Sequence, residues 1–146
     1  MDLIKQRDEY DCGVACIAMY LDITYGEAAS LVDHKAPGMK EGLTADNIVE
    51  CLRYECGDVV VNIDRPITTT NAILLVPSLN HEDGLHFVVY DSETKRIRDP
   101  QFNTGKRFYD IPWQKIPNIR AVITLANTPR VINYIRRQVK RYAAML

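Results

Sequence analysis

The sequence predicts an α+β fold, with N-terminal helices packed on a largely antiparallel C-terminal sheet and one further helix at the end of the chain. Helical patterns with capping signals occupy residues 12–55, whereas short β-branched runs bounded by turn residues fall between residues 59 and 125. Because the helices come first and the strands afterwards, the order favours an antiparallel sheet over alternating βαβ units.

The bulk properties allow one globular domain and exclude several classes of protein. A chain of 146 residues is long enough to bury about two-thirds of its unfolded surface. Its net charge of −1 gives no overall attraction to nucleic acid. No apolar run approaches the roughly 20 residues of a membrane span, and residues 1–6 lack the apolar core of a signal peptide. We therefore expect a cytoplasmic protein without a transmembrane segment, whose cysteines are reduced.

Three helices are predicted in the first part of the chain. Asp11 is placed to act as an N-cap for the first helix. Apolar residues occupy nearly every face of the helix that follows it, which predicts that this helix is buried. Thr24 and Glu27 have the spacing of a capping box, Thr44 can cap the third helix, and Gly57 provides its stop. The predicted helices cover residues 12–21, 24–33 and 44–55.

Five strands follow, and the last two predicted before residue 100 form a hairpin. A polar turn, residues 91–94, joins them. If that turn is centred between Ser92 and Glu93, His86 lies directly opposite Asp99 on the same face of the sheet. The predicted strands are residues 59–63, 72–76, 87–90, 95–98 and 121–125.

Residues 129–146 form a predicted basic amphipathic helix, part of or appended to a domain of residues 1–128. Pro129 is a favourable first residue, and the segment carries five Lys and Arg residues with no acid. The simplest interpretation is a helix packed on the domain with a solvated basic face, and the alternative is docking of an acidic partner or surface there. The apolar positions are Val131, Ile132, Ile135, Val139 and Tyr142, and the basic positions are Arg130, Arg136, Arg137, Lys140 and Arg141.

Cys12 is the first candidate for chemistry. It lies at the start of a predicted helix, where unpaired N–H groups and the helix dipole stabilise a thiolate. Its acidic neighbours oppose that effect, so a nearby imidazolium is required. Gln6 is close enough in sequence to donate its amide N–H to an oxyanion, with the backbone N–H of Cys12 as the second donor. The segment alone fits a buried structural cysteine equally well.

His86 and Asp99 supply the remaining parts of a thiol-nucleophile site. An aspartate opposite a histidine accepts the imidazole N–H, fixes its tautomer and stabilises its charged form. The same residues are also compatible with a structural histidine whose hydrogen bonds are satisfied, beside an unrelated aspartate in a turn, since Asp-Pro commonly opens a turn.

Three motifs follow one another along the chain: Gln6-x-Asp8-x-x-Asp11-Cys12-Gly13-x-Ala15-Cys16, His86-Phe87-Val88-Val89 and Asp99-Pro100. In this order they resemble the bacteriocin-processing cysteine peptidases, papain-like domains that remove double-glycine leader peptides and are fused to ABC transporters. The resemblance implies a papain-like α+β fold with Cys12 as nucleophile, His86 as general base and acid, Asp99 as its orienting partner, and Gln6 in the oxyanion hole.

The chain departs from that family in two respects. It carries neither transporter helices nor a nucleotide-binding motif, so a stand-alone domain is expected and the double-glycine preference is not carried over. The basic C-terminal helix also looks like an addition.

Other chemistries are disfavoured by spacing. The four cysteines lie on predicted helices without the tight knuckles of structural zinc sites, and His81 and His86 are too far apart in sequence for a helical metalloprotease motif. We expect a peptide or protein substrate. We expect no cofactor, no metal and no nucleic-acid partner. A thiol-dependent deamidase or acyltransferase with the same triad, or an inactive peptide-binding module, are the alternatives to a peptidase.

Overall fold

The computed structural model describes residues 1–39, 42–63 and 70–145, and within them it is an α+β structure. Four α-helices, one short 3₁₀ helix at Trp113–Lys115 and five strands are present in these residues. The helices are α1 (Cys12–Leu21), α2 (Tyr25–Lys35), α3 (Ala45–Glu55) and α4 (Pro129–Met145). The strands are β1 (Val59–Asn62), β2 (Ala72–Pro77), β3 (Leu85–Asp91), β4 (Arg96–Arg98) and β5 (Ala121–Leu125).

Local capping signals fix where the second and third helices begin. The Thr24 side chain accepts from the backbone N–H of Glu27, whose side chain accepts in return from Thr24 N–H. Thr44 and Asn47 exchange the same pair of bonds at the start of α3. Each capping box satisfies donors that a helix start otherwise leaves unpaired. The capping residues predicted for α2 and α3 are therefore confirmed, although α2 runs two residues further than expected.

All five strands belong to one antiparallel sheet, in the order β1-β5-β2-β3-β4. Because β5 lies between β1 and β2, the sheet is complete only when residues 121–125 are included. The expectation that an α+β chain with helices first would carry an antiparallel sheet is confirmed.

The sheet is covered on both faces, which explains the near-continuous apolar runs of its central strands. One face contributes Ile73, Val89 and Ile123 to a core shared with α1, α2 and α3. The other face, with Leu74 and Val88, packs against residues from the segment that follows β4. Helix α1 is buried along nearly its whole length between the sheet and the other helices, as its apolar pattern predicts.

The β3–β4 hairpin has a different register from the predicted one. Val89 lies opposite Arg98 and Asp91 opposite Arg96, a displacement of two residues that overturns the direct pairing of His86 with Asp99. The Asp91 carboxylate accepts from the Glu93 N–H at 3.1 Å, so the turn begins after Asp91. It ends with Lys95 in the left-handed region at φ 59°, which removes Lys95 from the predicted strand.

The C-terminal helix α4 is attached to the rest of the fold mainly through its first turns. Val131 and Tyr134 are buried, whereas Ile135, Val139 and Tyr142 are 49%, 64% and 55% exposed. The apolar stripe predicted from the sequence is therefore only partly packed. No helix in the described part of the chain combines the length and the apolar character needed to cross a membrane.

Candidate active site

Strand β3 and the segment after β4 bring His86 and Asp99 together. Nε2 of His86 lies 2.7 Å from Oδ1 of Asp99, and the two residues are 8% and 2% exposed. A displacement of two residues in a hairpin keeps every side chain on its own face, so the contact survives the change of register as a diagonal one. The bond orients the ring and leaves Nδ1 for another partner.

The carboxylate of Asp99 is itself held by two backbone donors. The N–H of Gln101 donates to Oδ1 at 2.8 Å, and the N–H of Tyr109 donates to Oδ2 at 2.7 Å. Tyr109 is anchored in turn, because its hydroxyl donates to the carbonyl of Pro77 at 2.6 Å. Neither Gln101 nor Tyr109 is predicted from the sequence, because each contributes a backbone N–H that no side-chain pattern reveals.

Cys12 begins α1 and is half-buried, and its interaction with the His86 side chain helps to raise the pKa of that ring. The first N–H groups of a helix have no partners within it, so they place partial positive charge beside the sulfur. Cys16, one turn later, is fully buried, and burial raises the pKa of its thiol well above the ordinary value. The structure therefore distinguishes a cysteine facing an imidazole from one enclosed in the core.

Two opposing effects set the pKa of His86. Burial disfavours the charged ring and lowers the pKa, but hydrogen bonds with Asp99 and Cys12, together with the negative charges of those groups, outweigh it. The pKa consequently rises from 6.5 to about 9. A pKa of about 9 favours the protonated ring at neutral pH.

Gln6 lies in the loop before α1 and is 6% exposed. Its backbone N–H donates to the carbonyl of Pro100 at 3.0 Å, which ties this loop to the segment that carries Asp99. Its side-chain Nε2 donates to the carbonyl of Asp8 at 2.8 Å, and an amide nitrogen has a second N–H to offer.

Asp11 occupies the N-cap position of α1 but does not cap it. Its side chain makes no hydrogen bond to the helix start, so the expected capping role is wrong. The carboxylate turns back instead toward the loop of residues 6–11 and toward Tyr25. The loop offers backbone N–H donors that compete with those of the helix.

The remaining candidates lie apart from the His86–Asp99 pair. Nε2 of His81 is 2.9 Å from Oε1 of Glu9, and its ring stacks on Tyr10 with the centroids 6.0 Å apart. None of the four cysteines is in a disulfide. Among the residues that the structure describes, no three His, Cys, Asp or Glu side chains are grouped to hold a metal ion.

A comparison with protein-family models places these residues in a known group, because the model of the peptidase C39 family matches residues 1–111. The chain belongs to the peptidase C39 family. The match spans Gln6, Cys12, His86 and Asp99, and it confirms at family level the resemblance seen in the motifs. A search of curated proteins finds no match to the chain.

Membership of the C39 family implies cysteine peptidase activity. In this C39 peptidase the matched segment ends before β5, which completes the sheet, and before α4. Those two elements are therefore described by the structure rather than by the family model.

Proposed function

We propose that this protein is a papain-like cysteine peptidase that cleaves a peptide or protein substrate through Cys12, His86 and Asp99, with Gln6 in the oxyanion hole. The observation that carries the proposal is the bridging position of His86. Its Nε2 faces the Asp99 carboxylate at 2.7 Å, while its side chain also interacts with Cys12 closely enough for that residue to raise the pKa of the ring. A raised pKa of about 9 for His86 favours a thiolate–imidazolium pair near neutral pH.

Catalysis begins with the proton of the Cys12 thiol on His86. The thiolate attacks the carbonyl carbon of the scissile amide, forming a C–S bond while the carbonyl π electrons move to oxygen. The oxyanion receives hydrogen bonds from the Gln6 side-chain amide and from the backbone N–H of Cys12, which has no partner within the helix. Donors of this kind stabilise the charge that develops only in the transition state.

The intermediate collapses to a thioester as the C–N bond breaks. The imidazolium of His86 gives its proton to the departing amine, and Asp99 keeps the ring oriented throughout. A water molecule then loses a proton to His86 and attacks the thioester carbonyl, which releases the new carboxylate and restores the Cys12 thiolate.

The proposal is tested by identifying new chain ends in candidate peptides and proteins. Native protein should generate cut ends that Cys12→Ala does not, and Cys51→Ala, which removes a buried thiol in α3, is the matched control. An intact target carrying glutamate in place of glutamine would mean deamidation by the same thiol. Cutting that persists in the Cys12→Ala protein would refute the mechanism.

We also propose that residues 1–128 form the catalytic domain and that residues 129–146 are a helix appended to it. Support comes from the exposure of the distal apolar residues of α4, which the domain does not need for its core. Its basic face is largely solvated, and Arg141 reaches Glu27 in an exposed ion pair at 3.6 Å. An acidic partner or surface would find complementary charge on this face.

A further inference from the structure

The loop that carries Gln6 is organised around one buried carboxylate. Asp11 is 0% exposed and lies next to the candidate nucleophile. Its oxygens accept from the backbone N–H of Arg7 at 3.1 and 2.8 Å, from the N–H of Asp8 at 3.0 Å, and from the hydroxyl of Tyr25 at 2.6 Å. Backbone N–H groups only donate, so both oxygens of Asp11 act as acceptors.

Tyr25 connects this carboxylate to a fixed point of the fold. It is the first residue of α2, directly after the capping box of Thr24, so its backbone position is set by the helix start. The guanidinium of Arg7 lies 3.9 Å from the centroid of the Tyr25 ring, which covers the phenol from the loop side. Burial, and then the hydrogen bond to Asp11, raise the pKa of Tyr25, so its hydroxyl remains a donor.

A continuous set of hydrogen bonds runs from Tyr25 to Gln6. Tyr25 holds Asp11, and Asp11 holds the N–H of Asp8. The carbonyl of Asp8 in turn accepts from Nε2 of Gln6 at 2.8 Å. The direction of the Gln6 amide is therefore determined by the position of Asp8, which Asp11 and Tyr25 fix.

We propose that Asp11 and Tyr25 are a pair of positioning residues that hold the loop of residues 6–11 so that Gln6 presents its amide N–H to the oxyanion. The inference rests on the proposed function of Gln6. Neither residue touches the substrate in this scheme. A negative charge beside the nucleophile opposes formation of a thiolate, and the donors gathered on Asp11 reduce that effect while using both of its oxygens.

The decisive variant is Tyr25→Phe, which removes one hydroxyl without changing charge, and Tyr142→Phe on the exposed part of α4 is the matched control. Two probes separate the oxyanion hole from the nucleophile. Acetyl-glycyl-glycinal forms a hemithioacetal whose oxygen occupies the oxyanion position, and iodoacetamide reports only the reactivity of the thiolate. Hydrolysis of the p-nitrophenyl ester of acetylglycine reports turnover.

Tyr25→Phe should lower both aldehyde affinity and kcat for the ester by about tenfold, because a whole oxyanion donor is worth about 100- to 1000-fold. The KM for the ester and the rate of alkylation by iodoacetamide should change by less than about twofold, since ground-state binding and the Cys12–His86 pair are left intact. Asp11→Asn should weaken aldehyde binding while alkylation stays at least as fast, because a negative charge near the sulfur is lost.

Two outcomes would overturn the positioning role: unchanged aldehyde affinity in both variants, or alkylation that falls in parallel with turnover, as a general loss of structure produces. Circular dichroism of each variant identifies the second case. Failure of the proposed function looks different, because the native protein would then neither hydrolyse the ester nor react with iodoacetamide faster than a free peptide thiol.

Discussion

Replacing Asp99 by asparagine tests how this site controls the protonation of His86. The substitution keeps the size of the side chain but removes its charge and one of its two acceptor oxygens. Asp99 uses both oxygens, one toward His86 and Gln101 and the other toward Tyr109. Asparagine therefore places an N–H₂ group against a donor in either orientation, and it no longer stabilises the imidazolium by charge.

The magnitude follows from the pKa of His86, which is raised from 6.5 to about 9 by its hydrogen bonds and by the charges of its partners. At about pH 8 a group with a pKa of about 9 is about 90% protonated, whereas one with a pKa of 6.5 is about 3% protonated. If Asp99 supplies most of the rise, Asp99→Asn lowers the imidazolium population at that pH by up to about 30-fold. Residual activity should remain, because Cys12, His86 and Gln6 are unchanged.

The assay is the pH profile of kcat/KM for an activated glycine ester, measured from mildly acidic to alkaline pH. Native protein should lose activity as the pH rises through about 9, and in Asp99→Asn that limb should move toward 6.5. Asp110→Asn removes an exposed carboxylate that pairs with Arg96 and is the matched control. An Asp99→Asn enzyme with native activity and an unmoved alkaline limb would refute the assigned role of Asp99.

Two further predictions concern stability. Because the pKa of His86 is raised, the folded chain holds a proton that the unfolded chain releases between pH 6.5 and about 9. This proton contributes up to about 3 kcal/mol to the free energy of unfolding below pH 6.5, and the contribution is lost as the pH rises through about 9. In urea unfolding, the difference in free energy of unfolding between native protein and Asp99→Asn should decrease over that pH range. A difference that stays constant with pH would contradict the linkage. Thr24→Ala should reduce the free energy of unfolding by about 1 kcal/mol through loss of the capping box, with Thr24→Ser retaining most of it.

The helices and strands were predictable because their signals are local. Thr24 with Glu27 and Thr44 at the next helix start are side chains that satisfy backbone donors three residues away, so the spacing alone carries the information. The β-branched runs of the strands are equally direct. The hairpin register was not predictable in the same way. It depends on a turn in which Asp91 bonds to the Glu93 N–H and Lys95 adopts a positive φ, a choice that no side-chain pattern dictates.

In the candidate site too, side-chain types are predictable from the sequence, whereas backbone geometry is not. Cys12, His86 and Asp99 are predicted by residue type and order, and the structure places His86 against Asp99 at 2.7 Å. The groups that hold them in place were missed or misread. Gln101 and Tyr109 act through backbone N–H, and Asp11 looked like a helix cap because its position and type fit one. Residue type identifies the groups suited to chemistry, whereas supporting groups depend on chain geometry.

The predicted His86–Asp99 contact holds although the predicted register of the hairpin is wrong. Side chains alternate between the two faces of a strand, so a displacement of one residue would have separated the pair, whereas a displacement of two leaves them on the same face. The segment after Arg98 is then free of strand pairing and is fixed by other bonds, including that from Gln6 N–H to the carbonyl of Pro100. Because Pro100 follows Asp99 directly, one backbone hydrogen bond links the loop with the candidate oxyanion donor to the carboxylate that orients His86. A substitution that moves either segment should therefore change the positions of both Gln6 and Asp99.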